Sequence, residues 1–201
     1  MSKGTVKIAI VVMASGFGKR YGSNKLLEEF LGRPLYQYPL ELAAESDAAP
    51  MIVVTRFPEI RAYVENNYPE AKVIWNDHPE HGISESLRLG LMASGKVDGC
   101  CFMVSDQPLL KKESVQRMIC QFRKNPSDIV VCSDGEKRGN PAIFPSDLFG
   151  ELYQLTGDQG GRRVMVQHEE LLTEIRVSSA ELMDIDRVKD KRMLEAKSRR
   201  Q

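Results

Sequence analysis

The chain has few of the residues that build disulfide scaffolds or soft-metal centres. It holds 4 Cys and 3 His, and Cys100, Cys101, Cys120 and Cys132 show no paired C-x-x-C spacing of the zinc type. All four cysteines lie in apolar segments, which predicts reduced core thiols and a cytoplasmic protein. An excess of either charge is also missing. Lys plus Arg is 28 and Asp plus Glu is 28, so no global field attracts nucleic acid or an anionic membrane, and any basic site must be local. The apolar runs are too short to span a bilayer. The opening MSKGTVKIAIVV lacks an adequate apolar stretch before a cleavage site, so no signal peptide is expected. No internal repeat or low-complexity segment stands out.

What is there fits one sizeable core. The 201 residues are 42% hydrophobic, and a single domain spanning 1–201 is expected. Apolar runs at 6–13, 51–55, 72–76, 99–105, 128–133, 140–145 and 173–177 read as strands. Helical patterns fall between them, at 33–47 with Pro34 in the first turn, at 58–68, 84–94 and 111–122, and in a segment entered from 157–168. The basic tail, 187–201, reads as a C-terminal helix. Strands alternating with helices predict an α/β domain with a mostly parallel sheet. In such sheets ligands bind beyond the carboxyl ends of the strands. The loops after Met13 and after Ser105 are therefore the places to look.

The first loop, SGFGKRYGSNK, combines Gly16, Gly18 and Gly22 with Lys19, Arg20 and Lys25. Glycine lets backbone N–H groups approach an anion, and the cations neutralise it. That composition fits a phosphate holder, and it fits equally a surface turn with solvated cations. Neither the Walker A spacing nor the dinucleotide fingerprint is met. In the second loop Asp106 follows a buried strand, where a carboxylate can hold Mg²⁺ or cap the next helix. Near the far end, Asp184 and Asp186 offer further carboxylates, Asp184 also as a helix cap. His78 and His81 are separated by Pro79, which predicts that they do not share a helical face as metal ligands and instead sit in a loop at the site's rim.

MASGFGKRYGSNKLL at 13–27 resembles the nucleotide-binding signature of the molybdopterin nucleotidyltransferases. GRPL at 32–35, SESLRLGL at 84–91, SDQPLL at 105–110, GNPAIF at 139–144, GDQGGR at 157–162 and DID at 184–186 resemble the family's landmarks, in order. The likeness covers roughly residues 6–190. It implies a three-layer α/β/α Rossmann-like domain and transfer of a nucleotidyl group to the terminal phosphate of molybdenum cofactor (molybdopterin), with pyrophosphate released. Ala14, a small residue at 15 and the DQPL run resemble the cytidylyl branch, which implies CTP as donor. Guanylyl transfer, another phosphorylated acceptor, or a molybdopterin-carrying chaperone are the alternatives. The resemblance further implies nucleotide contacts from Ala14, Ser15, Gly16, Gly18, Gly82, Ser84 and Ser86, with Ser84 also available as a helix cap. Arg20 and Lys25 would meet the triphosphate and, with Asp106, carry catalysis. Asp106 and Asp186 would hold Mg²⁺. Gly139, Asn140, Pro141, Gly157, Asp158 and Gly160 would face the acceptor, although GDQGGR also fits an ordinary turn. A molybdenum hydroxylase apo-enzyme is the implied recipient. The chain departs from the family at Ser15, where alanine is usual, at Asn140, where histidine is frequent, and over 187–189.

Overall fold

The computed structural model describes residues 5–16 and 24–198. Strand β1 (Ile8–Ala14) is buried along its whole length, as a continuous apolar run requires. Its alternate residues enter two cores. Ile8, Ile10 and Val12 join one cluster, while Ala9, Val11 and Met13 join the other. The sheet is thus covered on both faces.

The chain after Lys25 forms a short hairpin, β2 (Glu29–Phe30) with β3 (Arg33–Pro34). Leu31 and Gly32, both at positive φ, make its turn. The helix expected over 33–47 is therefore shorter, and α1 spans Gln37–Ala44. Pro34 pairs in the hairpin rather than opening the helix. The cue is Leu-Gly between Phe30 and Arg33, a turn that pattern reading on apolar spacing overlooks.

The other elements follow in the expected order. They are β4 (Met51–Thr55), α2 (Pro58–Asn67), β5 (Lys72–Trp75), α3 (Ile83–Ser94), β6 (Gly99–Val104), α4 (Lys112–Lys124), β7 (Ile129–Ser133) and β8 (Arg138–Pro145). Then come α5 (Phe149–Tyr153), α6 (Arg162–Gln167), β9 (Leu172–Arg176) and α7 (Val188–Ser198). Their sheet order is β5-β4-β1-β6-β8-β7-β9. Strand β8 runs antiparallel to both neighbours, and the remaining pairings are parallel.

Helices α1, α2 and α4 cover one face through Leu40, Ile60, Val64, Val115, Met118 and Phe122. On the opposite face, α3, α5 and α6 supply Leu87, Leu91, Leu152 and Val164. The fold is a three-layer α/β/α Rossmann-like domain. Full burial of a side chain such as Phe122 contributes about 2 kcal/mol. Cys100, Cys101 and Cys132 lie in these cores, but Cys120 is exposed. It belongs to α4 and falls off the 115/118/119/122 stripe, so local apolar composition misplaces it. Burial pushes the Cys132 thiol up to about 12, which leaves it unreactive.

Helix α3 lies very close to β1. A Cβ on Gly90 would stand 2.5 Å from a Val11 methyl, so this crossing needs glycine. A third cluster, Phe30, Leu35, Ile185 and Leu194, ties the hairpin to α7 and the segment before it. That tie brings residues 184–186 next to the loops after β1 and β6.

Candidate functional site

Strands β1 and β6 are neighbours, yet the chain leaves β1 towards β4 and returns to β6 on the other side. That reversal opens a crevice at their carboxyl ends. Side-chain hydrogen bonds fix the strand ends there. Ser105 Oγ donates to Met13 O at 2.9 Å, Thr55 Oγ1 to Ala14 O at 3.0 Å, and Ser15 Oγ to Val54 O at 3.2 Å. Arg56 Nε donates to Ser15 O at 3.1 Å.

The crevice holds a cavity of about 360 Å³ whose lining includes Ser15, Gly16, Lys25, Asp106, Asp158 and Asp186. Lys25 begins a 3₁₀ turn, Lys25–Leu27, and its side chain is 10% exposed. Its Nζ lies 2.6 Å from Asp106 Oδ2 and 3.0 Å from Asp186 Oδ1. Burial by itself would lower the lysine pKa; the two carboxylates more than offset it, and the net shift is upward. Ile185 N donates to Asp106 O at 2.9 Å, which holds the two acidic loops together.

Asp106 Oδ1 is buried without a hydrogen-bond partner. A buried carboxylate oxygen of that kind calls for a ligand. Asp184 stands beside the pair. Its residue reaches the surface, but protein packs around the carboxyl, and this loss of hydration, followed by the charge of Asp106, pushes its pKa to about 6. The Asp106 and Asp186 carboxylates on the ammonium are oxygen donors of the kind a hard divalent cation takes. Asp106 does not cap α4, which starts at Lys112 after an extended Lys111.

Helix α3 aims its N-terminus at the cavity, where Gly82, Ile83 and Ser86 contribute to the wall. Helix N-termini favour anions. Gly82 is at φ 78, and a Cβ there would meet Gly157 O at 2.4 Å. Ser84 N donates to that same carbonyl at 3.2 Å. Ser84 does not cap the helix. It sits within the first turn, and its hydroxyl donates back to His81 O at 3.2 Å.

A second cavity, of about 530 Å³, adjoins the first across Met13 and Ile83. Gly139, Asn140, Gly160 and Arg162 line it. Of the residues expected to face the acceptor, Asp158 falls in the first cavity, while Gly157 acts through its carbonyl on α3. Pro141 follows Asn140 through a cis peptide bond, and Ala14 contributes its carbonyl to Thr55. Gly18, Lys19, Arg20 and Gly22 lie outside the described residues.

His78 and His81 come together, contrary to the expectation drawn from Pro79. Pro79–His81 is a 3₁₀ turn with Pro79 at its first position. Residues three apart eclipse in a 3₁₀ turn, and the two rings stack with centroids 5.0 Å apart. Sequence reading also missed Asn76. Its Oδ1 accepts from His78 N at 3.0 Å, its Nδ2 is buried and unpaired, and it lines the first cavity. The signal was available, since Asn76 follows a strand end just as Asp106 does.

Residues 10–171 match the family model of the MobA-like NTP transferase domain. The molybdenum cofactor guanylyltransferase of Vibrio atlanticus (strain LGP32) is 27% identical over 167 residues, covering 82% of this chain and 81% of that protein. The bifunctional protein GlmU of Anaeromyxobacter dehalogenans (strain 2CP-C) is 29% identical over 130 residues, 62% of this chain and only 27% of GlmU. The crystal structure of Rv0371C in complex with manganese, from Mycobacterium tuberculosis H37Rv, superposes with a TM-score of 0.78 at 23% identity, over 95% of this chain and 99% of that one.

Proposed function

Because the chain belongs to the MobA-like NTP transferase domain family, we propose that it transfers CMP from CTP to the terminal phosphate of molybdopterin. A phosphate oxygen of the acceptor forms a bond to the α-phosphorus of the nucleotide, and the bond to the β-phosphate breaks, releasing pyrophosphate. A phosphate monoester has a second pKa of about 6, so it is largely dianionic at neutral pH and needs no strong general base. The observation that carries the reading is Lys25, held between Asp106 and Asp186 at the mouth of β1 and β6.

The chain's own groups do the positioning. Lys25 is poised to neutralise charge gathering on the leaving pyrophosphate, and Arg20 is assigned the same task. Backbone at Ser15 and Gly16, together with the N-terminus of α3, forms the wall against which the nucleotide would be held. Asp106, with its unpaired Oδ1, and Asp186 fit Mg²⁺, which when bound would neutralise phosphate charge and align the reactants. The neighbouring cavity of Gly139, Asn140, Gly160 and Arg162 suits an acceptor large enough to fill about 530 Å³.

One feature supports cytosine as the base. Asn76 Nδ2 is a buried donor without a partner and Asn76 lines the cavity, while its Oδ1 already accepts from His78 N. Cytosine presents two acceptors, O2 and N3, whereas the pairing edge of guanine presents mostly donors. A guanylyl reading is favoured instead by the name of the Vibrio relative. Turnover of molybdopterin with each nucleotide and Mg²⁺ separates the two. CTP is expected to be used at least about tenfold better than GTP, a difference of about 1.4 kcal/mol. Equal use, or preference for GTP, removes the cytidylyl assignment. A molybdenum hydroxylase apo-enzyme would take the product. Among the described residues, no helix is long and apolar enough to cross a membrane.

A further inference from the structure

Two of the chain's 3 His lie within four residues of each other, and the carboxylate between them is shared. Glu80 Oε1 is 3.1 Å from His78 Nδ1 and 3.9 Å from His81 Nε2. One ligand atom from each of the three side chains falls within 4.8 Å of the others. The 3₁₀ turn accounts for this. Its hydrogen bond, His81 N to His78 O at 3.0 Å, closes the loop, and the i and i+3 rings eclipse with planes only 16° apart.

We infer that His78, Glu80 and His81 form a second metal site, one that takes a transition-metal dication of the Zn²⁺ class rather than Mg²⁺. Two imidazole nitrogens with one carboxylate form a donor set for zinc, nickel or copper, whereas magnesium prefers oxygen ligands. Four-coordinate zinc with bonds of about 2.0 Å needs ligand atoms about 3.3 Å apart. The present spacing closes to that value by rotation of side chains, each of which is exposed and about 60% accessible. No buried charge must be desolvated, and water completes the coordination. The acidic cluster at Lys25 uses none of these residues as ligands.

The site has a consequence for its neighbour. Glu80 also lines the nucleotide cavity. Ligation would engage its carboxylate and place positive charge at the cavity mouth, where a polyphosphate enters.

Isothermal titration of the untagged chain with Zn²⁺, without nucleotide, tests the assignment. The wild-type chain is expected to bind one equivalent. His78→Ala and His81→Ala should each weaken binding by at least about tenfold, while His168→Ala and Asp106→Asn should keep it. Both histidines that matter are exposed, and circular dichroism will show that the variants remain folded. Absence of zinc binding overturns the inference. So does binding that is unchanged in both histidine variants, or binding that disappears in Asp106→Asn. The experiment uses no substrate, so its failure leaves the nucleotidyl-transfer reading untouched.

Discussion

Lys25 Nζ bridges Asp106 and Asp186, residues 81 and 161 positions away in sequence, at 2.6 and 3.0 Å. The ammonium contacts Asp106 Oδ2 and Asp186 Oδ1, oxygens of the two carboxylates proposed to hold a divalent cation. Ammonium and cation cannot share that space, because each repels the other at short range. On the proposed function, a cation bound there would compete with Lys25, which would turn to the polyphosphate. Lys25→Met should bind Mn²⁺ at least about tenfold more tightly in the absence of nucleotide, read by the free-ion EPR signal. Without metal the variant should lose up to about 3 kcal/mol of stability, since the largely buried Asp106 loses its partner. Turnover should fall about a hundredfold. An unchanged Mn²⁺ affinity would show that the ammonium does not compete for the site.

Gly82 combines positive φ with close backbone contact to Gly157. Gly82→Ala should destabilise the chain by about 1–3 kcal/mol through backbone strain alone, measured by urea denaturation. It should also shift the N-terminus of α3 and weaken nucleotide binding. Gly160→Ala is the control, because a Cβ there meets only Ile83 methyl groups at 3.8 and 3.9 Å. Equal losses for both variants would defeat the account.

The unpaired Nδ2 of Asn76 bears on base choice. Asn76→Asp replaces a donor with acceptors and should shift relative kcat/KM from CTP towards GTP by about tenfold or more. The comparison is made by competing the two nucleotides in one reaction. If the ratio does not move, Asn76 does not meet the base.

His168 links α6 to α5, its Nε2 lying 2.8 and 2.9 Å from the two carboxylate oxygens of Glu151. The hydrogen bond to Glu151 raises the imidazole pKa above its ordinary 6.5. A raised value in the folded state means that folding favours the protonated ring. Its stabilisation is complete below about pH 6.5 and is lost as pH rises through the higher folded value. The difference in unfolding free energy between wild type and His168→Gln should accordingly shrink from pH 6 to about pH 8. A difference that stays constant across that range would rule out the charged pair.

Much of this architecture was written in local pattern. The continuous apolar run at 6–13 reads as a strand covered on both faces, and β1 is one; the spacing of Val115, Met118, Ile119 and Phe122 reads as one side of a helix, and α4 buries that side. Asp106 drew notice from its place after a buried strand. Pro34 misled, because proline suits both a helix start and a short outer strand, and the choice fell to a Leu-Gly turn two residues earlier. His78 and His81 misled for a related reason: only the pitch of the turn decides whether residues three apart meet.

The sequence by itself determined most of the order of strands and helices, the α/β class with a mostly parallel sheet, and the acidic and basic residue types at the strand ends, since these follow from periodicity and from chemistry at single positions. Tertiary structure alone decided that Lys25, Asp106 and Asp186 converge, that Asn76 keeps an unpaired donor against the cavity, and that two histidines stack around Glu80. Such relations depend on distances between segments far apart in the chain, or on the handedness and pitch of one turn, and neither is encoded in the identity of any residue taken singly.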